Sequence, residues 1–550
     1  MTENLIITIN FIIRIILALL SIVIVFRCFV SLRRTIRGNN PLIMLYNRLT
    51  QDEIPIMYWE NSIGRSRNSD IVLHDPTVSR DHAVLLRREE GWLISDTNSK
   101  SGVYVNGQEV FGREPVYVND VIKVGSTELV LKKCPPSERS SKYMKNKRKI
   151  SQSFLLFLVT IFSILEAVEL FICDLSFEYE SFIPFASLIT ISWIFYFISK
   201  YIFNRVNFEL ESLSLFLCSI GLGIISSESI KETYVQIIAM TLGLMLFCFI
   251  IWFVEDPDRV MKWRLKISII AIVLFVINLA LGTVHNGAQN WIQIGSVSVQ
   301  PSEFVKIAFI FVGASTLDKL QTGKNLTEFI VFSAICMGAL FLMGDFGTAC
   351  IFFITFLIIA FMRSGDIRTI ILICATAILG AFMILKFKPY VANRFAAWGH
   401  VWDYADTLGY QQTRVLTFAA SGGLFGLGLG NGDLKYIFAS TSDLAFGMVC
   451  EELGLIIALI ASITIVGFLI YTRKASAKSR STFYYIAACS AGGLLVFQMC
   501  LNIFGATDIL PLTGVTLPFI SMGGSSMISS WGLLAFIKVS DERTYAARRK

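Results

Sequence analysis

Residues Leu5–Phe26 read LIITINFIIRIILALLSIVIVF, an apolar run broken only by Asn10 and Arg14. At 1.5 Å rise per residue, a helix of this length reaches across the roughly 30 Å hydrocarbon core of a bilayer. The run does not read as a signal peptide. Basic residues are missing ahead of it, it is too long, and no small-residue cleavage site follows. Arg27, Arg33, Arg34 and Arg37 come next. Lys and Arg collect on the cytoplasmic side of a membrane, so the run predicts a span whose N-terminus lies outside.

The same pattern recurs further along the chain. From Phe154 to Ile537 about twelve more apolar runs reach spanning length. Of the 550 residues 54% are hydrophobic and 16% charged, against about 25% charged in soluble domains. Charge between the runs alternates as such a topology requires. Stretches 174–180, 226–232 and 285–302 are acidic or polar and are expected outside. Lys200 and Arg205, Arg259 to Lys266, Lys319 and Lys324, Arg363 and Arg368, Arg473 to Arg480, and Arg548 to Lys550 are expected inside. The C-terminus is therefore predicted on the cytoplasmic side. The net charge of +7 is loop charge and no nucleic-acid footprint. The eleven cysteines lie mostly in or beside apolar runs without metal-ligand spacing, and read as small buried hydrophobes. Two external segments stand out, 285–302 and the longer 388–442 with its Gly-rich run from Gly422 to Gly428. Long loops in compact proteins carry function, so the chemistry is expected there.

Residues 41–133 differ in character. Gly, Asp and Asn turns separate short alternating segments such as Val103-Tyr104-Val105 and Glu128-Leu129-Val130-Leu131, the pattern of a small β-sandwich. A linker at 134–150 carries Lys142, Lys145, Lys147, Arg148 and Lys149, which puts the sandwich on the cytoplasmic side. The chain thus reads as a mainly α-helical polytopic membrane protein of about 12–13 spans with a small all-β domain. Its parts are an anchor at 1–30, the sandwich at 41–133, the linker at 134–150 and a multi-span domain at 151–550.

Within the sandwich, Gly64-Arg65, Ser69-Asp70, Val78-Ser79-Arg80-Asp81-His82, Asp96 and Asn106-Gly107 occur in order. The series resembles a forkhead-associated (FHA) domain, whose loops bind phosphothreonine peptides. A phosphothreonine carries nearly two negative charges and calls for charge-assisted donors. The resemblance implies that Arg65, Ser79, Arg80, Lys100, Ser101 and Asn106 face the phosphopeptide, while His82 braces the Ser79 loop from beneath. Taken singly, Arg65 and Arg80 fit solvated surface charges. Ser101 stands where the family usually carries Asn.

In the multi-span domain, Gln300-Pro301-Ser302-Glu303-Phe304-Val305-Lys306 opens an apolar run. Glu303 and Lys306 lie three apart, share a helix face and can pair. On spacing alone they fit a structural ion pair as well as a catalytic one. Further motifs are Trp291, Gly344-Asp345, Gly409-Tyr410-Gln411, Ser421 to Gly428, Ser442-Asp443, Glu451-Glu452, Pro518 to Ser521 and Gly523 to Ser526. From Asn286 onward the ordered set resembles the SEDS family of shape, elongation, division and sporulation proteins, the FtsW/RodA relatives.

That resemblance implies a peptidoglycan glycosyltransferase of the bacterial cell membrane, polymerising lipid II at the outer face. It implies a catalytic Asp shortly before Gly-Tyr-Gln, which a two-residue deletion makes Asp406 rather than Asp403. It also implies catalytic roles for Glu303 and Lys306, and substrate contacts at Trp291, Gln300, Ser302, Asp345, Arg394, Tyr410, Gln411 and Asp443. A divalent cation, Mg²⁺ or Mn²⁺, is the cofactor such pyrophosphate chemistry can use. Implied partners are a class B penicillin-binding protein as transpeptidase and, through the FHA-like part, a phosphothreonine protein or Ser/Thr kinase. Asn290 stands where the family usually has Arg, and Gly344 where it has Pro. Two other readings share these residues, a flippase of lipid II or related polyprenyl-linked sugars and a non-catalytic division scaffold. A need for Asp406 in glycan synthesis separates the polymerase from both.

Overall fold

The computed structural model describes residues 3–34, 42–134, 151–173, 182–316, 324–364 and 396–541, together with 371, 374 and 375. Excepted within those ranges are 57–58, 67–68, 89–90, 204, 206, 286–287, 296 and 476–480.

The soluble part is built from β1 (Ile43–Asn47), β2 (Glu53–Ile56), β3 (Glu60–Gly64), β4 (Ile71–Val72), β5 (Ala83–Arg88), β6 (Gly91–Asp96), β7 (Val103–Val105), β8 (Gln108–Glu109), β9 (Arg113–Val116), β10 (Val121–Val124) and β11 (Thr127–Lys132). They form a six-stranded sheet in the order β2-β1-β11-β10-β7-β8 and a five-stranded sheet in the order β4-β3-β5-β6-β9. The side-chain period of two puts alternate residues between the sheets. Leu45, Ile63, Leu85, Ile94, Val103, Ile122 and Leu129 are fully buried there. Asn106 and Gly107 both take positive φ, 50° and 87°. They make the two-residue Asn-Gly hairpin between β7 and β8 that right-twisted strands favour.

Helix α1 (Glu3–Arg34) precedes the sandwich, and α2 (Gln152–Cys173), α3 (Phe182–Phe197), α4 (Glu209–Glu228), α5 (Ile230–Val254) and α6 (Pro257–Leu281) follow it. A three-stranded sheet comes next, β12 (Thr283–His285), β13 (Ala288–Ile294) and β14 (Val297–Val299). The remaining helices are α7 (Pro301–Thr316), α8 (Lys324–Met343), α9 (Phe346–Ser364), α10 (Tyr410–Gly422), α11 (Leu455–Ala475), α12 (Thr482–Ala506) and α13 (Gly524–Val539). A short turn Ala445–Met448 and a π-helical turn Val449–Leu453 precede α11. Among the described residues eight helices are long and apolar enough to cross a membrane, and Thr327–Met343 and Phe346–Met362 are shorter apolar helices. The chain is a multi-pass membrane protein.

Helix α4 is the centre of the bundle, with 94% of its apolar window buried. Without a hydrophobic drive between helices in lipid, small residues that admit close approach decide where they pack. A Cβ on Gly243 of α5 would sit 2.8 Å from the Trp531 ring of α13, and one on Gly467 of α11 only 1.9 Å from the Phe29 ring of α1. One buried charge pair ties α4 to α13. Lys538 meets Glu211 at 2.8 Å with both side chains sealed from solvent. The sandwich joins the helices through Glu60 at the start of β3. Its Oε2 accepts from the Thr482 amide at the head of α12 (2.8 Å), while Oε1 accepts from Arg88 Nη2 (3.2 Å).

Three expectations change. The first span does not end at residue 30 but runs as helix to Arg34. The segment 285–302 is not a plain loop. Gly295 at φ +63° turns β13 back onto β14, with Gln293 paired to Ser298. Within 388–442 the residues from 396 onward hold a 3₁₀ turn (Val401–Tyr404) and helix α10. The linker 135–150, the C-terminal basic residues, Arg394 and nearly all of the apolar stretch between Arg368 and Lys388 lie outside the described residues.

Candidate functional site

Proline stands at the first position of α7, where its missing amide costs nothing, and Glu303 and Lys306 follow on the buried face of that helix. Lys306 Nζ bonds Glu303 Oε1 at 2.7 Å and Gln498 Oε1 of α12 at 3.1 Å. Ser529 Oγ of α13 donates to Glu303 Oε2 at 2.5 Å. Gln498 Nε2 continues to the Thr516 carbonyl at 3.0 Å, and the Thr516 and Ser526 hydroxyls bond at 2.6 Å. Glu303 and Lys306 are buried, so the predicted pair exists and ties α7, α12 and α13 together. Buried charges persist when paired and fully bonded. Ser302 beside them is sealed, its hydroxyl without a partner among the described residues.

A second polar knot lies at the foot of the small sheet. Asp345 Oδ2 accepts from Asn290 Nδ2 of β13 and from Gln300 Nε2, each at 3.2 Å. Its Oδ1 accepts the Thr348 amide at 3.0 Å, so Asp345 also caps α9. The Gln300 amide reaches Ser525 Oγ at 3.1 Å. Trp291, partly buried on β13, adjoins this knot in sequence and strand. Gly344 sits at φ +74°, a conformation closed to proline, whose ring holds φ near −65°.

Asp406 lies in the turn between Val401–Tyr404 and α10. It is exposed and makes no hydrogen bond or ion pair with a described residue. Asp403 is exposed likewise. The motif that follows is structural at its first residue. A Cβ on Gly409 would lie 2.3 Å from the Val401 carbonyl oxygen, so only glycine lets the turn close. Gln411 Nε2 donates to the Phe438 carbonyl (2.8 Å), and Arg414 lies 5.1 Å over the Tyr410 ring. Trp398 Nε1 donates to Ile509 O at 3.1 Å, docking this turn on the 508–509 corner. Asn502 of α12 donates to Asp443 O (2.9 Å) and Val515 O (2.7 Å). Ser521 Oγ donates to Ser442 O at 2.5 Å. The structure therefore groups Glu303 and Lys306 in one knot and Gln300 with Asp345 in another. Tyr410, Gln411 and Asp406 share the exposed turn. No described bond joins Asp406 to Glu303 or Lys306. Sequence reasoning missed Gln498, Asn502 and Ser529, although Gln498 and Asn502 stand four apart on α12, a spacing that puts two polar groups on one face.

At the sandwich apex, a Cβ on Gly64 would lie 2.1 Å from the Arg80 carbonyl oxygen, and the Arg65 amide bonds Ser79 O at 2.9 Å. Two loops are thereby held edge to edge with Arg65 and Arg80 both exposed. His82 is fully buried. Its Nδ1 accepts the Ser79 amide at 3.0 Å, which leaves the proton on Nε2 to donate to Gly102 O at 3.0 Å. The Lys100 amide donates to Ser79 Oγ (3.1 Å) and Ser101 Oγ to Thr77 O (2.9 Å). Asp75 pins the same loop by accepting from Ser126, Thr77 and Thr127 hydroxyls at 2.6, 2.7 and 2.8 Å. Those hydroxyls, Ser126 first, hold its carboxyl well below the usual carboxylate range. Arg65, Ser79, Arg80, Lys100 and Ser101 thus converge. Asn106 stands apart, its amide engaged by Asp120 Oδ1 (2.9 Å) and the Val121 N–H (3.0 Å).

Fold and site together define a multi-pass helical membrane protein with polar knots between its helices and an FHA-type sandwich on its N-terminal side. The FtsW/RodA/SpoVE profile, described as a cell cycle protein, matches residues 212–545, and the FHA domain profile matches residues 61–125. This chain belongs to the FtsW/RodA/SpoVE family and carries an FHA domain. It is 32% identical over 335 residues to the probable peptidoglycan glycosyltransferase FtsW of Buchnera aphidicola, covering 58% of this chain and 84% of that one. To the Bacillus subtilis protein of the same description it is 28% identical over 398 residues, covering 62% and 94%. A solved structure described as "Structural coordination of polymerization and crosslinking by a peptidoglycan synthase complex" shares the fold at a TM-score of 0.53 and 22% identity. It covers 62% of this chain and 99% of its own.

Proposed function

We propose that this chain is a peptidoglycan glycosyltransferase that polymerises lipid II at the outer face of the bacterial cell membrane, while its FHA domain reads a phosphothreonine protein in the cytoplasm. The observation that carries the reading is the exposed Asp406 carboxylate, without a bonded partner among the described residues, on the turn before Gly409-Tyr410-Gln411. A carboxylate whose lone pairs are not committed can take the proton of an acceptor hydroxyl. The acceptor 4-oxygen bonds to the anomeric carbon of the donor with inversion. The bond from that carbon to the pyrophosphate oxygen breaks, and undecaprenyl pyrophosphate leaves. Arg414, held over Tyr410, is a cation suited to the departing charge. The Glu303–Lys306 pair, buried and bonded on three helices, keeps the elements behind the site in place.

Among the described residues no three His, Cys, Asp or Glu side chains converge to hold a divalent cation. The proposal routes no step through a metal. A class B penicillin-binding protein is the partner that would cross-link the glycan, and a Ser/Thr kinase would supply the phosphothreonine.

Polymerisation of lipid II by the purified protein tests the assignment. Asp406→Asn keeps shape and hydrogen bonding but removes the proton acceptor, so the rate should fall by about a hundredfold or more, with folding retained. Asp403→Asn should be mild. Full activity in the Asp406 variant with loss in the Asp403 variant moves the base three residues upstream. Full activity in the double variant removes both.

A further inference from the structure

Residues 422–430 are irregular backbone between α10 and the 445–453 turns, and irregular backbone in a membrane protein persists only where its polar groups are bonded internally. One side of the run is closed by the family's own segment. The Gly426 amide bonds Gly422 O (2.9 Å), Leu427 bonds Glu451 O (2.8 Å) and Gly428 bonds Glu452 O (2.9 Å). A Cβ on Gly426, at φ +80°, would lie 2.1 Å from the Glu452 carbonyl oxygen. The other side is closed by α1 and α2, which precede the family-matched residues 212–545. Arg14 Nη1 of α1 donates to the Gly426 carbonyl. Phe11 stands edge-on to Phe425 with ring centroids 6.3 Å apart, and Arg14 lies 5.6 Å over the Phe11 ring. Glu169 of α2 is buried near Arg14. An arginine in a spanning helix is costly and marks function by default.

We infer that Arg14 is a positioning residue for glycan polymerisation: its bond to the Gly426 carbonyl fixes the 422–430 run and, through it, the far end of the helix that begins at Tyr410. Arg14 touches no substrate. It acts through α10, whose first turn carries Tyr410 and Gln411 beside Asp406. Small displacements remote from the chemistry can cost one or two orders of magnitude in rate. The inference rests on the polymerase reading above.

The test uses full-length protein in lipid nanodiscs as wild type, Arg14→Gln, Arg14→Lys and Arg27→Gln. Arg27 lies on the exposed side of the same helix and serves as control. Hydrogen exchange across 422–430 is followed alongside lipid II polymerisation, and protection of α12 reports an intact fold. Arg14→Gln should speed exchange of the Gly426–Leu429 amides and lower kcat by roughly ten- to a hundredfold, with KM within about twofold. Arg14→Lys, which keeps a cationic donor, should recover most of both, and Arg27→Gln should match wild type. Unchanged exchange, unchanged kcat, a rise confined to KM, or equal loss in Arg27→Gln each overturn the inference. A wild type that makes no glycan overturns the polymerase reading and this role with it. A working wild type beside an unaffected Arg14→Gln overturns this role alone.

Discussion

At His82 one imidazole holds two loops, accepting the Ser79 amide on one nitrogen and donating to Gly102 O from the other. Removing the ring leaves a buried donor and a buried acceptor unpaired, at about 1–3 kcal/mol for each group. His82→Ala should therefore destabilise segment 42–134 by about 2–6 kcal/mol in urea unfolding. That segment has a hydrophobic core separate from the helices. The same variant should lose phosphopeptide affinity even where the fold persists, by calorimetric titration. Wild-type affinity in a folded His82→Ala domain would argue that the apex does not depend on this bracing. Residue-scale features were legible where chemistry and spacing coincide, as at Glu303 and Lys306, one helix turn apart. Gln498 and Ser529 were not. A lone amide or hydroxyl in an apolar run gains meaning only when another helix sets a charge against it, and that is tertiary information.

Among elements, the contact of α1 with α11 turns on Gly467, whose missing side chain admits the Phe29 ring. Overpacking such a contact costs about 1–3 kcal/mol, so Gly467→Val should lower the detergent-solubilised melting temperature. Phe29→Ala in the same chain should restore part of it. Loss without such rescue would mean that the glycine serves the α11 backbone rather than the approach of α1. Spans and sandwich strands were legible because burial forces periodicity on long segments. The sheet at 283–299 was not, because its outer strands hold three residues each and reveal no alternation. Helix α10 was hidden for the opposite reason. Its sequence YQQTRVLTFAASG is too polar to read as a span, and the glycines after it answer to carbonyls about thirty residues on in the 450–452 turn.

For the molecule as a whole, the charge alternation predicts a cytoplasmic sandwich and an external small sheet. On a cysteine-depleted background, Lys123→Cys should resist an impermeant thiol reagent in intact cells, whereas Ser298→Cys should react. Both positions are exposed, so accessibility reports sidedness. Labelling at 123 with protection at 298 would invert the topology.

The grip of Glu60 on the head of α12 also has an electrostatic consequence. Arg65, Arg80 and Lys100 make a cationic tip, and anionic lipid attracts such side chains by about 1 kcal/mol each near the surface. The five residues of β3 separate Glu60 from Gly64, next to Arg65. At about 3.3 Å per residue the strand spans ~13 Å, beyond the ionic screening length of about 8 Å at physiological salt. The contact on α12 therefore sets how far the tip stands from the helix it is tied to. On the phosphopeptide reading proposed above, a fixed spacing of this kind would favour a phosphate carried on protein over one in the lipid surface.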